Sequence, residues 1–252
     1  IMNRFKNLIF IILISTIVFC KKQERLTPDD FIIVTIDDND ISKENLDNVD
    51  DLRFHNRKLQ AEFLKKTKQD AKYIILDYYY PDYGIEDIDF ELIKEMREVQ
   101  NITIGIGGYF NDELEVTEEL FLDSVEEVSH YFFKSDSEGN LFFKNNLKLY
   151  SSDSEDPVLE VRHASLVVLD YLKIPFKSNE EFKLNYKDLQ KIDIMSYSDF
   201  KNSIDFDKNK ILILVTLIDS PDIQLDIHDI PGYGEIIGSE LLANFILYAQ
   251  KD

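Results

Sequence analysis

At 252 residues, 44% hydrophobic and 12% aromatic, the chain carries enough apolar surface for one full globular core. The absence of Trp, only 8 Gly and a single Cys exclude the disordered, collagen-like and disulfide-framework classes. With 49 acidic against 28 basic side chains the formal net charge is −21. Such a surface repels nucleic-acid phosphates and anionic headgroups and concentrates cations around the domain.

The N-terminus reads as an export signal. Arg4 and Lys6 precede an apolar run from Leu8 to Phe19, which ends at Cys20 and is followed by Lys21 and Lys22. The run falls short of the ~20 apolar residues of a spanning helix and fits a signal-peptide core of ~7–15. Cys20, the single thiol, resembles the acylated cysteine of a bacterial lipoprotein signal. Phe19 stands where such signals carry a small residue. The alternatives are an uncleaved anchor and ordinary secretion. The expected division is a signal peptide over 1–19, a lipidated tether over 20–28 and one domain over 29–252.

Beyond the tether, Phe31 to Ile36 (FIIVTI) is an apolar, β-branched run that predicts a strand buried on both faces. Arg53 to Thr67 predicts an amphipathic helix, Ala71 to Asp77 a second strand, and Phe90, Ile93, Met96 and Val99 a second helix. Asn101 to Ile106 predicts a third strand, so strands and helices alternate as in a mostly parallel sheet covered on both faces. The middle changes character. His130 to Phe133 and Leu141 to Phe143 flank the turn 136–140 and predict an inserted antiparallel hairpin, with Gly139 in the left-handed conformation. Arg162 to Leu172 predicts a helix, Phe182 to Tyr186 a short strand and Ser196 to Asn202 a brief helix. Lys210 to Leu217 predicts the most hydrophobic strand, and Ser239 to Gln250 a closing helix capped by Ser239. The fold class is therefore α/β.

Several constellations bear on chemistry. Asp87, Asp89 and Glu91 copy the Asp-x-Asp-x-Glu spacing of chitinase-type glycosidases, which makes an envelope glycan hydrolase using Asp89 and Glu91 one alternative function, beside a structural envelope lipoprotein that binds no ligand. The chain offers too few βα units for the barrel those enzymes need, and Glu91 falls in a first helical turn. The four histidines, His55, His130, His163 and His228, lack metal-site spacing, and no metal or cofactor is expected. Gly105, Gly107 and Gly108 match no phosphate loop and read as a strand-to-loop turn. Asp37, Asp38 and Asp40 offer hard oxygen ligands without the spacing of a calcium loop and read as a solvated strand end.

If the sheet is parallel, Asp37, Asp38 and Asp77 lie at the carboxyl ends of two strands, where open α/β sheets bind ligands. Arg57 reaches the same edge from the following helix, either toward a ligand or in an ion pair that holds helix to sheet. These four residues are the tentative ligand-binding set, and the expected partner is an unidentified small molecule or envelope protein.

The order of segments resembles the CHASE2 family. FIIVTIDDNDI is similar to its opening strand with an acidic pair, here Asp37 and Asp38. Arg57 within RFHNRKLQAEFLKK resembles the arginine of its first helix, and AKYIILDYYYPD its second strand and terminal aspartate, Asp77. HYFFKSDSEGNLFF resembles its hairpin, with Glu138 in place of the usual second Asp. KLNYKDLQKIDIMSYSDF supplies Asn185, Tyr186, Ser196 and Tyr197, while ILILVTL and PGYGEIIGSELLANFIL resemble the final strand, Pro-Gly turn and helix with Ala243 and Asn244. The resemblance implies an extracytoplasmic, non-enzymatic sensory module anchored to a membrane. The family's Trp-rich approach to its first helix is missing. Its usual transmembrane helices and cytoplasmic output domain do not follow Asp252, so the chain resembles a sensor without its transmitter.

Overall fold

The computed structural model describes residues 25–44, 52–110, 113–150, 157–203, 209–218 and 227–250. The expected signal peptide and Cys20 lie outside the described residues.

In chain order the first elements are β1 (Phe31–Asp37), α1 (Asp38–Lys43), α2 (Leu52–Thr67), β2 (Tyr73–Leu76), α3 (Glu86–Arg97) and β3 (Ile102–Gly105). Then come β4 (Gly107–Phe110), β5 (Glu113–Val116), α4 (Glu119–Leu122), β6 (Glu127–Ser129), β7 (Phe133–Ser135), β8 (Asn140–Lys144), β9 (Asn146–Tyr150) and β10 (Pro157–Arg162). The chain continues through α5 (Ala164–Tyr171), β11 (Glu181–Asn185), β12 (Asp193–Ser196), α6 (Tyr197–Asn202) and β13 (Ile211–Leu217). It closes with β14 (Ile227–Ile230), β15 (Gly234–Ile237) and α7 (Gly238–Ala249).

Six strands form one sheet in the order β12-β1-β13-β2-β3-β6, and every pairing in it is parallel. Successive side chains of a strand point to opposite faces, so the continuous apolar runs divide between two cores. Ile32, Val34, Ile74, Leu76, Leu212 and Leu214 meet Leu59, Phe63 and Leu64 of α2, Leu92 and Met96 of α3, and Tyr197 and Phe200 of α6. Phe31, Ile33, Tyr73, Ile75, Ile211 and Ile213 face the other way, onto α5, α7 and the inserted strands. The sheet thus has helices on both faces, as the sequence predicts.

The insertion is larger than the one expected hairpin. β7, β8 and β11 make a three-stranded antiparallel sheet, and β9–β10, β4–β5 and β14–β15 pair separately. Gly139 has φ +77°, and a Cβ there would stand 2.1 Å from the Pro231 carbonyl oxygen, so the turn packs against the end of β14. Gly107 opens β4 rather than a loop, because a Cβ there would lie 2.3 Å from the Glu115 carbonyl oxygen across the β4–β5 pair.

Three further expectations need correction. Phe90 does not face the core: it is 55% exposed, while Leu92, Ile93 and Met96 are buried. A strict three-residue spacing drifts by about 60° per step on a 3.6-residue helix, which carries Phe90 out of the buried stripe. Ser239 does not cap α7. The cap position is Ile237, and the Ser239 hydroxyl donates instead to Asp77 Oδ2 at 2.6 Å. The packed domain also begins within the expected tether. Leu26 is buried, its N–H donates to Gln250 Oε1 at 2.7 Å, and its carbonyl accepts from Gln250 Nε2 at 3.2 Å.

Candidate functional site

The site follows from where the crossovers go. β1 leads to α2 and β2 to α3, both on one face of the sheet. β13 lies between these strands, yet its continuation through β14 and β15 reaches α7 on the other face. Neighbouring strands whose connections leave to opposite faces open a crevice at their carboxyl ends, and ligands of open α/β folds bind there. In this topology that position is the end of β13.

Asp37 stands beside Leu217 in the β1–β13 register, at the edge of this crevice. Its Oδ1 accepts from the Asp40 N–H at 3.0 Å, and its own N–H donates to Asp40 Oδ2 at 3.1 Å, a reciprocal cap on α1. Asp38 is exposed. Asp40 is 1% exposed and its Oδ1 accepts from the Ser198 N–H at 2.9 Å and from the Ser198 hydroxyl, which ties α1 to α6. Asp77 follows β2 and takes the Ser239 hydroxyl from the opposite face. The three predicted strand-end aspartates therefore flank the end of β13 from both sides.

Sequence reasoning missed the polar group between them. Thr216 of β13 is buried, and its Oγ1 accepts from Asn56 Nδ2 at 2.6 Å and meets the Tyr78 hydroxyl. Burial pushes the Tyr78 hydroxyl well above its ordinary pKa, only partly offset by its bonds to Thr216 and Asn56. It stays protonated at neutral pH. Asn56 is 3% exposed, yet its Oδ1 has no partner among the described residues. Thr216 satisfies one atom of the amide whichever way the amide is turned, so one polar atom stays unmatched at a cost of about 1–3 kcal/mol. The only sequence signal was an Asn beside Arg57 on a helix start.

Arg57 resolves toward α3. It is 2% exposed, its Nη1 donates to Asp89 Oδ1 at 2.7 Å, and its Nη2 donates to the Asp82 carbonyl at 2.8 Å. Asp89 Oδ2 also accepts from the Gly84 N–H at 2.7 Å. The guanidinium lies beside the stacked rings of Tyr80 and Phe121, 5.5 and 5.0 Å from their centroids. Asp89 is thus held in a buried ion pair, whereas Glu91 is exposed and pairs with Lys65. Two residues apart on a helix, their side chains point about 160° away from each other, so the two carboxyls do not face the common cleft that glycan hydrolysis needs.

His130 and His163 come together on the other side of the sheet, their ring centroids 5.0 Å apart. Among the described residues no group of three or more His, Cys, Asp or Glu side chains is placed to hold a metal ion.

The order of these segments matches a known family. A family model described as CHASE2 domain matches residues 15–248. The chain belongs to the CHASE2 family. CHASE2 domains are extracytoplasmic sensory domains, which places this one outside the cytoplasm. No curated protein and no solved structure matches the chain. Several positions that carry the resemblance hold the CHASE2 fold together. Asn185 Nδ2 donates to Asn140 Oδ1 at 2.9 Å, and Tyr197 is buried with its hydroxyl on Glu62 at 3.2 Å. Ser196 caps α6 by accepting from the Asp199 N–H at 3.2 Å. Asn244 accepts from the Gln190 N–H at 2.7 Å and donates to the Gln190 carbonyl at 3.0 Å, pinning the approach to β12 onto α7.

Proposed function

We propose that the chain is an exported, membrane-anchored CHASE2 sensory module with no catalytic activity of its own, which binds its ligand at the carboxyl end of β13. The buried Asn56 amide beside Thr216 and Tyr78, whose Oδ1 has no partner among the described residues, at the point where the crossovers diverge, carries this reading. Asp37, Asp38 and Asp77 flank that point, and the net charge of −21 attracts cations, so a small ligand rich in hydrogen-bond donors fits best. Arg57 positions the start of α2 through Asp89 rather than offering a free cation. Cys20 supplies the anchor: acyl chains contribute on the order of 0.8 kcal/mol per buried CH₂, enough for two chains to hold the domain on a membrane. No helix among the described residues is long and apolar enough to cross one.

Unbiased mass spectrometry of small molecules and proteins copurifying with the mature domain tests the binding site. Asn56→Ala and Thr216→Val should lose whatever the wild type retains, and retention by both variants places the ligand elsewhere. Metabolic labelling with a fatty-acid analogue tests the anchor. Label on the wild type and none on Cys20→Ser is expected, whereas an unlabelled wild type that remains on membranes makes the Leu8–Phe19 run an uncleaved anchor.

A further inference from the structure

A further group of buried polar side chains lies away from the end of β13, where the parallel sheet meets the insertion. His130 directly follows β6 and His163 directly follows β10, and the two backbones bridge: His130 N–H donates to the Arg162 carbonyl at 3.1 Å, and Ala164 N–H to the His130 carbonyl at 3.1 Å. The His163 N–H donates to the Asn145 carbonyl at 2.8 Å, which brings in the turn between β8 and β9. Four segments thus converge on one pair of imidazoles: the end of β6, the β8–β9 turn, the end of β10 and the start of α5.

The rings are 1% and 0% exposed and meet edge to face. His163 Nδ1 accepts from the Ser165 N–H at 3.2 Å and bonds the Ser165 hydroxyl at 2.8 Å, which caps α5. Three ring nitrogens make no hydrogen bond of good geometry among the described residues, His130 Nδ1, His130 Nε2 and His163 Nε2, although backbone groups of Asn145 and Lys144 lie near the His130 ring and favour its protonation. The surroundings are apolar. Phe143 of β8 lies 4.4 Å from the His163 ring, Phe245 of α7 lies 5.7 Å from it, and Phe132 stacks at 6.0 Å on His130.

Among the described residues no carboxylate acts on either ring. The charged side chains on the converging strands are Glu127 of β6, Lys144 of β8, Lys148 of β9, and Glu160 and Arg162 of β10; Lys144, Lys148 and Glu160 are exposed, Glu160 accepts from Asn146 Nδ2 at 2.7 Å, and Arg162 turns to Asp170 of α5 at 2.8 Å and to Glu127 at 3.5 Å. The charge that acts on His163 is that of His130, which repels a second cation. Buried polar atoms left without partners cost stability, and a buried cation without a counter-charge costs far more.

We propose that His130 and His163 form an acid-operated latch: protonating either imidazole releases the β9–β10 arm and the start of α5 from the edge of the parallel sheet. The latch is independent of the ligand reading and gives an extracytoplasmic domain a response to the pH around it.

The sign follows from linkage. Burial lowers the His130 pKa to about 4, despite favourable backbone groups of Asn145 and Lys144, and lowers that of His163 well below its usual value. An opened imidazole regains an ordinary pKa of about 6.5, so the open state binds more protons from about pH 6.5 downward. Falling pH in that window favours opening, and the effect levels off near the folded value. For His130 alone the opening equilibrium rises about 4-fold at pH 6 and about 30-fold at pH 5, relative to pH 8.

Hydrogen exchange of the full chain at pH 8, 6 and 5, corrected for intrinsic rates, reads the latch in peptides spanning 140–146 and 160–168. Exchange there should rise with acid by these factors while peptides from β1 and β13 stay protected. His163→Asn keeps an α5 cap without a titratable ring, and His130→Phe keeps a ring of similar size; each should flatten part of the rise. Because either variant can misfold, histidine ring NMR on the wild type supplies the second readout. Both rings should stay neutral in the closed domain at pH 6. An ordinary titration near pH 6.5 without opening, or an acid response unchanged in folded variants, overturns the latch.

Discussion

Two buried polar pairs, one on each face of the sheet, are matched in opposite ways. On the α2–α3 face Arg57 and Asp89 are buried together, and their polar atoms meet each other, the Asp82 carbonyl, the Gly84 N–H and two aromatic rings. On the insertion face two imidazoles are buried as deeply, and three of their ring nitrogens make no hydrogen bond of good geometry among the described residues. The first arrangement fixes a helix start beside the crevice. The second holds only while both rings stay neutral, so buried polarity is a brace in one place and a point of release in the other.

The comparison breaks most sharply at the brace. Asp89→Ala leaves the Arg57 guanidinium buried without its carboxylate and should cost about 3–5 kcal/mol in denaturant unfolding. Arg57→Met combined with Asp89→Leu removes both charges and should recover most of that loss. A single-variant loss below about 1 kcal/mol would mean that water reaches the pair and that it is not a brace.

Acid sharpens the contrast from the other side. Global stability should fall as pH drops from about 6.5 toward 4, with His130 contributing about 3 kcal/mol across the window, measured by unfolding midpoints at each pH. His130→Phe should remove that part of the slope. A slope equal to the wild type's would assign acid sensitivity to the carboxylates instead.

Smaller effects separate anchoring contacts from surface ones. Asn244→Ala strips the Gln190 backbone of both its side-chain partners and should cost about 1–3 kcal/mol by thermal unfolding. Lys65→Ala breaks the pair with Glu91, whose side chains are 43% and 41% exposed, and should change stability by no more than about 0.5 kcal/mol. A larger loss at Lys65 would give the α3 surface a role that exposure denies it.

The sequence by itself determined the parallel sheet. Runs such as FIIVTI and ILILVTL are too apolar for a solvated face, and alternation with helical periodicity leaves few topologies. It also determined the left-handed turn at Gly139, the helix start at Ser196 and the place of Asp37 and Asp77 at strand ends, because these depend on neighbours a few residues away. Phe90 was legible only in part: apolar spacing announced the helix but not which edge of the stripe faces out. Only the tertiary structure decided the partners. Ser239 reads as a cap until Asp77 beside β2 takes its hydroxyl, and Arg57 reads equally as a ligand contact or an ion pair until Asp89 of α3 faces it. Asn56 gains meaning when β13 sets Thr216 against it, and two histidines without metal spacing become a pair when β10 bridges to β6. Local steric and capping preferences act along the chain and leave their mark in its order, whereas a hydrogen bond or a buried charge between distant segments exists only once packing has excluded water between them.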